Sequence, residues 1–364
     1  MARNYYIFNP GRLSRKQHTI FFTRYRSKSD AETIADFEER LEKEPQLIDS
    51  EPDIDYEETA EKKVIPVEDI DSIYIFGEAD FNRKFFNFCG SKGIPIHIFN
   101  YFGFYSGTFY PREFLNSGEL LVRQVRAYDN PHERLFLARQ FTLGASANML
   151  RNLQYYHNRG KSLQNYLDSI TALREELKKV SSIEELMGIE GNIRQWYYSA
   201  WPEIIEQEIE FERRTKHPPD NLINAMISFG NSLVYTTCLS EIYRTQLSPL
   251  ISYLHEPGTK RFSLSLDIAE IFKPLLADRL IFTLLNKRQI TQKKHVTLKG
   301  KICWLNEEGR KLFIKEFDER LSTTIKHRKI GRNVSYRRLI RLECYKLIKH
   351  LMGQENYRPF ELWW

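Results

Sequence analysis

Tyr253–Arg279 reads YLHEPGTKRFSLSLDIAEIFKPLLADR, and it brings a histidine, a Gly-containing basic loop and a carboxylate pair into one short span. His255 ends an apolar run and is followed at once by Glu256, Pro257 and Gly258, so it closes a helix or opens a turn. Thr259, Lys260 and Arg261 then place two cations on that loop. From Phe262 an apolar periodicity resumes, with Asp267 and Glu270 three residues apart, a spacing that puts both carboxylates on one face of a helix. Imidazole with carboxylates suits a divalent ion that tolerates nitrogen, such as Mn2+, while carboxylates alone suit Mg2+. Beside such an ion, Lys260 and Arg261 read as phosphate contacts. The same residues also fit a plainer pattern, a helix-terminal histidine and a solvated acidic face, and the stretch alone leaves both open.

Upstream, Asn221–Gln246 is a long, largely apolar helix suited to the centre of a core, preceded by the basic, proline-broken loop Arg213–Asp220 (RRTKHPPD). Ser181–Glu185 carries a capping box and starts a helix through Leu186, Met187 and Glu190 to Trp201, where Pro202 stops or kinks it. Val122–Gly144, Ala145–Tyr156 and Ser162–Val180 read as helices at three-and-four apolar spacing. Downstream, Ala277–Asn286 continues the apolar helix, Lys287–Gly300 is a basic connector, and Arg310–Leu321 is amphipathic. Val334–Met352 sets Tyr336, Leu339, Ile340, Leu347, Ile348 and Leu351 against Arg337, Arg338, Arg341 and Lys349, a free face that either meets phosphates or is simply solvated. Everything after about Glu119 is expected to be helical.

The N-terminal region reads as strands: Tyr5–Phe8, then the turn Asn9–Gly11, a basic link Arg12–Lys16, and His18–Thr23. Val64–Val67 and Ser72–Phe76 flank the acidic turn Glu68–Asp69, and Phe81–Cys89 is a helix. Ile94–Phe99 is placed at a sheet edge by its proline. The run Tyr101–Tyr110 (YFGFYSGTFY) suits either base stacking or a packed β-turn. The reading is an α+β protein: a mostly β domain over residues 1–105, followed by a larger all-helical catalytic domain over residues 106–364.

Charge is unevenly spread along the 364 residues. The net charge is +6, yet between Asp30 and Glu61 fourteen acidic residues face two basic ones, a local −12 that leaves +18 on the remainder. A strongly basic body implies a polyanionic partner. The insert at about 30–61 reads as a short surface helix over Asp30–Leu41 and a mobile loop beyond it. Four scattered cysteines (Cys89, Cys238, Cys303, Cys344) fit neither a disulfide framework nor a zinc pattern. No run reads as long and apolar enough to span a bilayer, and MARNYYIFNPGR has no signal-peptide core, so no membrane role and a cytoplasmic site of action are expected. Walker, GxSxG and CxxC patterns are absent.

Several stretches together resemble the CRISPR-associated integrase family, the Cas-one proteins of spacer acquisition. Leu186–Gly191 with Tyr197 resembles the family's catalytic-glutamate helix, and Arg213–Asp220 with Asn224–Ala225 is similar to its P-P-x-D-x-x-N-A segment, although here Asn221 stands at the Asp position. Tyr253–Gly258 and Ser263–Glu270 resemble its histidine loop and acidic helix; Phe272–Pro274 with Asp278 and Arg279 extends the match. Tyr5–Lys16 and Ile94–Glu113 are similar to its strand domain, and Tyr357–Phe360 to its tail. The resemblance implies a metal held by Glu190, His255 and Glu270, with Asp267 as accessory catalytic carboxylate. Mn2+ or Mg2+ would be the ion, and Lys260, Arg261, Arg279, Tyr197, Arg213 and Arg214 would be DNA contacts. It implies dimerisation through the β domain, double-stranded and branched DNA as substrates, and as companions the small Cas-two subunit and a Cas-four nuclease. The acidic insert exceeds the family's usual link.

The function implied is a metal-dependent DNA endonuclease and integrase that joins short foreign DNA into the CRISPR repeat array by phosphodiester transesterification. A divalent ion on two carboxylates and a neutral imidazole supplies much of what that reaction needs. The alternative from another class is a non-catalytic DNA-binding scaffold whose acidic residues are structural. A phosphohydrolase of small esters is disfavoured by the positive excess, which a small substrate does not need.

Overall fold

The computed structural model describes residues 3–17, 19–28, 31–41, 43–258, 262–328 and 330–363. The chain divides into two compact units. The first comprises Met1–Phe114, Thr215–Phe229 and Gln292–Lys311; the second comprises Leu115–Arg214, Gly230–Thr291 and Leu312–Trp364.

The first unit is strand-rich: β1 (Arg3–Ile7), β2 (Gly11–Lys16), β3 (Thr19–Ser27), α1 (Ala31–Arg40), β4 (Tyr56–Ile65), β5 (Ile70–Ile75), β6 (Ala79–Phe81), α2 (Arg83–Lys92), β7 (Ile96–Phe99) and β8 (Tyr105–Phe109). One sheet has the order β1-β5-β7-β8, with β1, β5 and β7 parallel and β8 antiparallel to β7. The other has the order β4-β3-β2-β6, an antiparallel β2-β3-β4 meander with β6 parallel to β2. Alternation along the strands sends Leu13, Ile20, Ile73, Ile75 and Ile96 into one core with Phe85 and Phe88 of α2. Asn82 caps α2 by accepting the Phe85 N–H at 2.9 Å, and Gly93 ends it at φ 63°.

Three sequence expectations change here. The basic link Arg12–Lys16 is a strand, β2, in which Leu13 alone supplies the inward apolar signal. The strand after Pro95 is internal: the proline precedes Ile96, so its missing N–H costs no ladder bond, and its carbonyl still accepts the Ile73 N–H at 3.0 Å. The described residues of the acidic insert are packed rather than looped out. After α1 comes a 3-10 turn (Pro45–Asp49), and β4 begins within the insert at Tyr56. Its few apolar residues Phe37, Leu41 and Ile48 bury against Phe102, Ile302 and Trp304. The Ile48 carbonyl accepts the Asn100 amide at 2.6 Å, and Glu38 accepts the Tyr101 hydroxyl at 3.0 Å. The aromatic-glycine run is a turn at Gly103 (φ 85°) followed by β8. His18 and Asp30 lie outside the described residues.

Beyond residue 115 the elements are α3 (Gly118–Asp129), α4 (Pro131–His157), α5 (Gln164–Leu177), α6 (Ile183–Ser199), α7 (Trp201–Ile204), α8 (Leu222–Tyr243), α9 (Ser263–Lys273), α10 (Arg279–Asn286), α11 (Gln292–His295), β9 (Val296–Lys299), β10 (Ile302–Leu305), α12 (Glu307–Ser322), β11 (Thr324–Lys326), β12 (Asn333–Ser335) and α13 (Tyr336–Leu351). A π-helical turn, Pro274–Asp278, joins α9 to α10. The region is therefore not all helical: β9 pairs with β10 and β11 with β12, in strands of four and three residues too short to show a period. The first expected helix break at Gly144–Ala145 falls instead at Asn130–Pro131, where Asn130 caps α4 and Pro131 occupies its first turn. The apolar α8 is long enough and apolar enough to cross a membrane by length and composition, contrary to the sequence expectation. It is mostly buried inside the protein, as a core helix is.

In the second unit, α4 and the C-terminal tail fix α9. The Asn148 amide donates to the carbonyls of Ile271 (2.9 Å) and Phe360 (3.2 Å), and its oxygen accepts the Leu362 N–H at 2.8 Å. Gly144 lets the tail approach, since a Cβ there would lie 2.6 Å from Pro359. Arg341 and Arg337 of α13 face Glu241 and Asp318 rather than lying free.

Candidate metal centre

Nearly every residue of α9 is buried, and Asp267 and Glu270 are 0% and 3% exposed. This excludes the solvated acidic face. Buried carboxylates demand donors or cations, and each has a full set. Asp267 gathers four N–H donors from the loop before α9. Its Oδ2 accepts the backbone of Tyr253 (2.7 Å) and Leu254 (3.0 Å), and its Oδ1 accepts the backbone (3.0 Å) and Nδ1 (2.8 Å) of His255. His255 sits in a bend of that loop, not at a helix end. Donation from Nδ1 leaves the lone pair on Nε2, which lies 3.9 Å from Oε1 of Glu270.

Glu190 comes from α6. Leu186, Glu190, Ile193, Arg194 and Tyr197 recur at four-and-three spacing and so share one stripe. Ser182 caps the helix by accepting the Glu185 N–H at 3.2 Å, while the Glu185 side chain returns to the Ser181 N–H at 2.8 Å. Arg194 donates Nε to Glu190 and Nη2 to Glu270, and Lys273 donates to the other oxygen of Glu270 at 2.7 Å.

Burial works against the charged form of His255, but the hydrogen bond and charge of Asp267, with Glu270 behind them, hold its pKa above the ordinary histidine value. Burial likewise raises Glu270, and the charges of Arg194, Lys273 and His255 more than reverse it, holding the carboxyl far below the usual range. Behind the site, burial pushes Asp278 up to about 7, against the Tyr197 hydrogen bond and the charges of Arg194 and Lys273.

Among the described residues no three His, Cys, Asp or Glu groups close to metal-holding distance. The reason is visible at Glu190 and Glu270, which stand on either side of one guanidinium. The donor set nevertheless fits a divalent ion: two carboxylates that already share a cation, and an imidazole nitrogen oriented by a buried carboxylate.

The chain matches the family described as "CRISPR associated protein Cas1" over residues 5–319. It belongs to that family. A relative named CRISPR-associated endonuclease Cas1, from Fusobacterium nucleatum subsp. nucleatum, is 49% identical over 364 residues, covering 100% of this chain and 98% of its own. The solved structure of a CAS1 protein from Thermotoga maritima superposes with TM-score 0.80 at 39% identity, covering 99% of this chain and 100% of that one. A casposase bound to integration product shares the fold, with TM-score 0.81 at 18% identity over 98% of this chain and 92% of that chain. The mixed α+β architecture, strand-rich first and helical after, is that of the Cas1 structures.

The expected DNA contacts fare differently. Lys260 and Arg261 lie outside the described residues. Tyr197 is not at a surface: it is fully buried, its hydroxyl accepting the Asn152 amide (2.9 Å) and donating to Asp278 (3.1 Å). Arg279 donates Nε to Asn152 at 2.6 Å and lies 6.0 Å from the ring centroid of the exposed Tyr155. Arg213 is exposed and Arg214 half-buried. Sequence reasoning missed Arg194, Lys273 and Asn152. For the two cations the signal was present, since each sits three or four residues after a ligand candidate on the same helix.

Proposed function

We propose that this chain is a metal-dependent DNA endonuclease and integrase that joins short DNA into the CRISPR repeat array by phosphodiester transesterification, with Glu190, His255 and Glu270 holding Mn2+ or Mg2+. The observation that carries the reading is the half-buried His255 set between the buried Asp267 and Glu270, with Glu190 across one cation from Glu270. A bound divalent ion would polarise the phosphoryl oxygens and stabilise the leaving oxygen. The chain's own residues do the rest. Asp267 fixes the imidazole tautomer, Lys273 neutralises part of the Glu270 charge, and the buried walls keep competing water from the carboxylates. Arg279, Arg213 and Arg214, with Lys260 and Arg261, belong to the basic +18 body that takes up the DNA backbone. The nucleophile is a 3′-hydroxyl for joining and water for cutting.

The partners in this reading are double-stranded and branched DNA, a second copy docked through the strand-rich unit, the small Cas-two subunit, and a Cas-four nuclease. A monomer by sedimentation at micromolar concentration counts against the second copy. The test of the central claim is strand joining with Mn2+ by Glu190→Ala, His255→Ala and Glu270→Ala. Each should abolish joining and keep DNA binding and the fold. A scaffold would have no joining to lose, and normal joining by His255→Ala would refute the site.

A further inference from the structure

Arg194 joins two proposed ligands that come from different helices. From α6 it donates Nε to Glu190 one turn back and Nη2 to Glu270 on α9, so one guanidinium fills the space between both carboxylates. Lys273 takes the remaining oxygen of Glu270. Glu190 and Glu270 thus face the two cations, while Asp267 is taken up by the backbone and imidazole of the His255 loop. A divalent ion held by Glu190 and Glu270 would need the space that the guanidinium now fills. Adding the ion beside the guanidinium would place like charges a few ångströms apart in a desolvated site. The two cations exclude each other. The Arg194 side chain is 23% exposed while that of Glu270 is 4% exposed, so part of the arginine side chain reaches solvent where the carboxylate does not.

We propose that Arg194 is a displaceable stand-in for the divalent ion. It closes the metal-free site, leaves when the ion binds, and then presents its fork of donors to the phosphodiester. The proposal rests on the metal-centre reading above. A planar guanidinium bonded to carboxylates is also the group best matched to a phosphate, so its release couples ion loading to DNA engagement. In the closed state the apparent affinity for the ion is reduced by the fraction of open molecules.

The experiment is Mn2+ titration by calorimetry on the metal-stripped full chain without DNA, for wild type, R194Q, R194K and E190A. Expected are measurable binding by wild type, about tenfold tighter binding by R194Q, an intermediate value for R194K, and loss in E190A. R194K keeps a charge but not the fork, and it carries the comparison if circular dichroism shows R194Q unfolded. A second arm measures affinity for a branched duplex against salt, with and without Ca2+, which replaces Mn2+ so that the DNA stays uncut. R194Q should lower the salt slope by about one only when the ion is present. Wild-type Mn2+ binding with no tightening in the Arg194 variants overturns the stand-in and leaves the metal centre standing. Wild type binding Mn2+ no better than E190A overturns both. An equal loss of DNA affinity with and without the ion overturns the release.

Discussion

Asp267→Asn isolates the part of the centre that does not touch an ion. The carboxylate accepts four N–H donors at 2.7 to 3.0 Å and is 0% exposed. An amide offers one oxygen, which can keep at most two of these bonds, and its NH2 group then faces the remaining donors. Bonds to a charged acceptor are each worth about 1.5–3 kcal/mol, so two lost bonds, softened by local adjustment, cost about 3–4 kcal/mol. For a unit of this size that lowers the melting temperature by roughly 6–16 °C.

The deficit has a pH signature. Asp267 raises the pKa of His255 in the folded chain. The stability this contributes is fully present below the unfolded value of about 6.5 and is lost as pH rises through the folded value. In metal-free protein the difference between wild type and Asp267→Asn should therefore be larger at pH 6 than at pH 9. A constant part remains from the backbone donors. Thermal melts with chelator at both pH values test this. A loss below about 1 kcal/mol, or a deficit that grows with pH, would refute the reasoning about how the histidine is held.

Two further outcomes follow from buried groups. Asp278 has its pKa raised to about 7 by burial, and it faces the Tyr197 hydroxyl, Arg194, Lys273 and Glu270. A raised folded pKa means stability falls as pH climbs from about 4 to 7, so Asp278→Asn, which can still accept from Tyr197, should stabilise the protein at pH 8 by up to about 4 kcal/mol and hardly at pH 4; equal effects at both would reject the assignment. Leu41→Ala in the acidic insert should cost about 2–4 kcal/mol because Leu41 is fully buried. A change within about 0.5 kcal/mol in urea unfolding, the level of a surface site, would return the insert to a loose arm.

The fold was legible where period and length agreed. The apolar runs of α8, α9 and α13 and the β-branched segments of β3 and β5 carried their own signal. It was illegible where tertiary pairing supplied what local sequence lacked. β2 has a single large inward apolar residue, and β9 to β12 are too short for a period. The insert shows this most clearly. Its charge of −12 dominates any composition window, yet three well-placed apolar side chains are enough to seat it on Phe102, Ile302 and Trp304. Average polarity describes a segment's surface, and a few buried residues decide whether it is ordered.

At the site, the Asp267–Glu270 pair stood out because a helix constrains its spacing, and His255 because it closes the apolar run before it, whereas Glu190 entered only through the family resemblance. Their counter-cations were not weighed, although the physics requires them. A buried ion pair seldom adds stability over an apolar replacement, and each ion loses several kcal/mol of hydration. Glu270 is nonetheless kept 3% exposed, with Arg194 on one oxygen and Lys273 on the other. Stability alone gives no reason to assemble such a cluster when leucine would fill the space. What it achieves is two carboxylates from different helices held in place by shared cations, with Glu270 kept charged. In the proposed centre, the Arg194 guanidinium is the group an incoming ion would replace. The search rule that would have found the cluster is therefore a pairing rule: a buried acid proposed as a ligand should have a Lys or Arg three or four residues further along its helix, as Glu190 has Arg194 and Glu270 has Lys273.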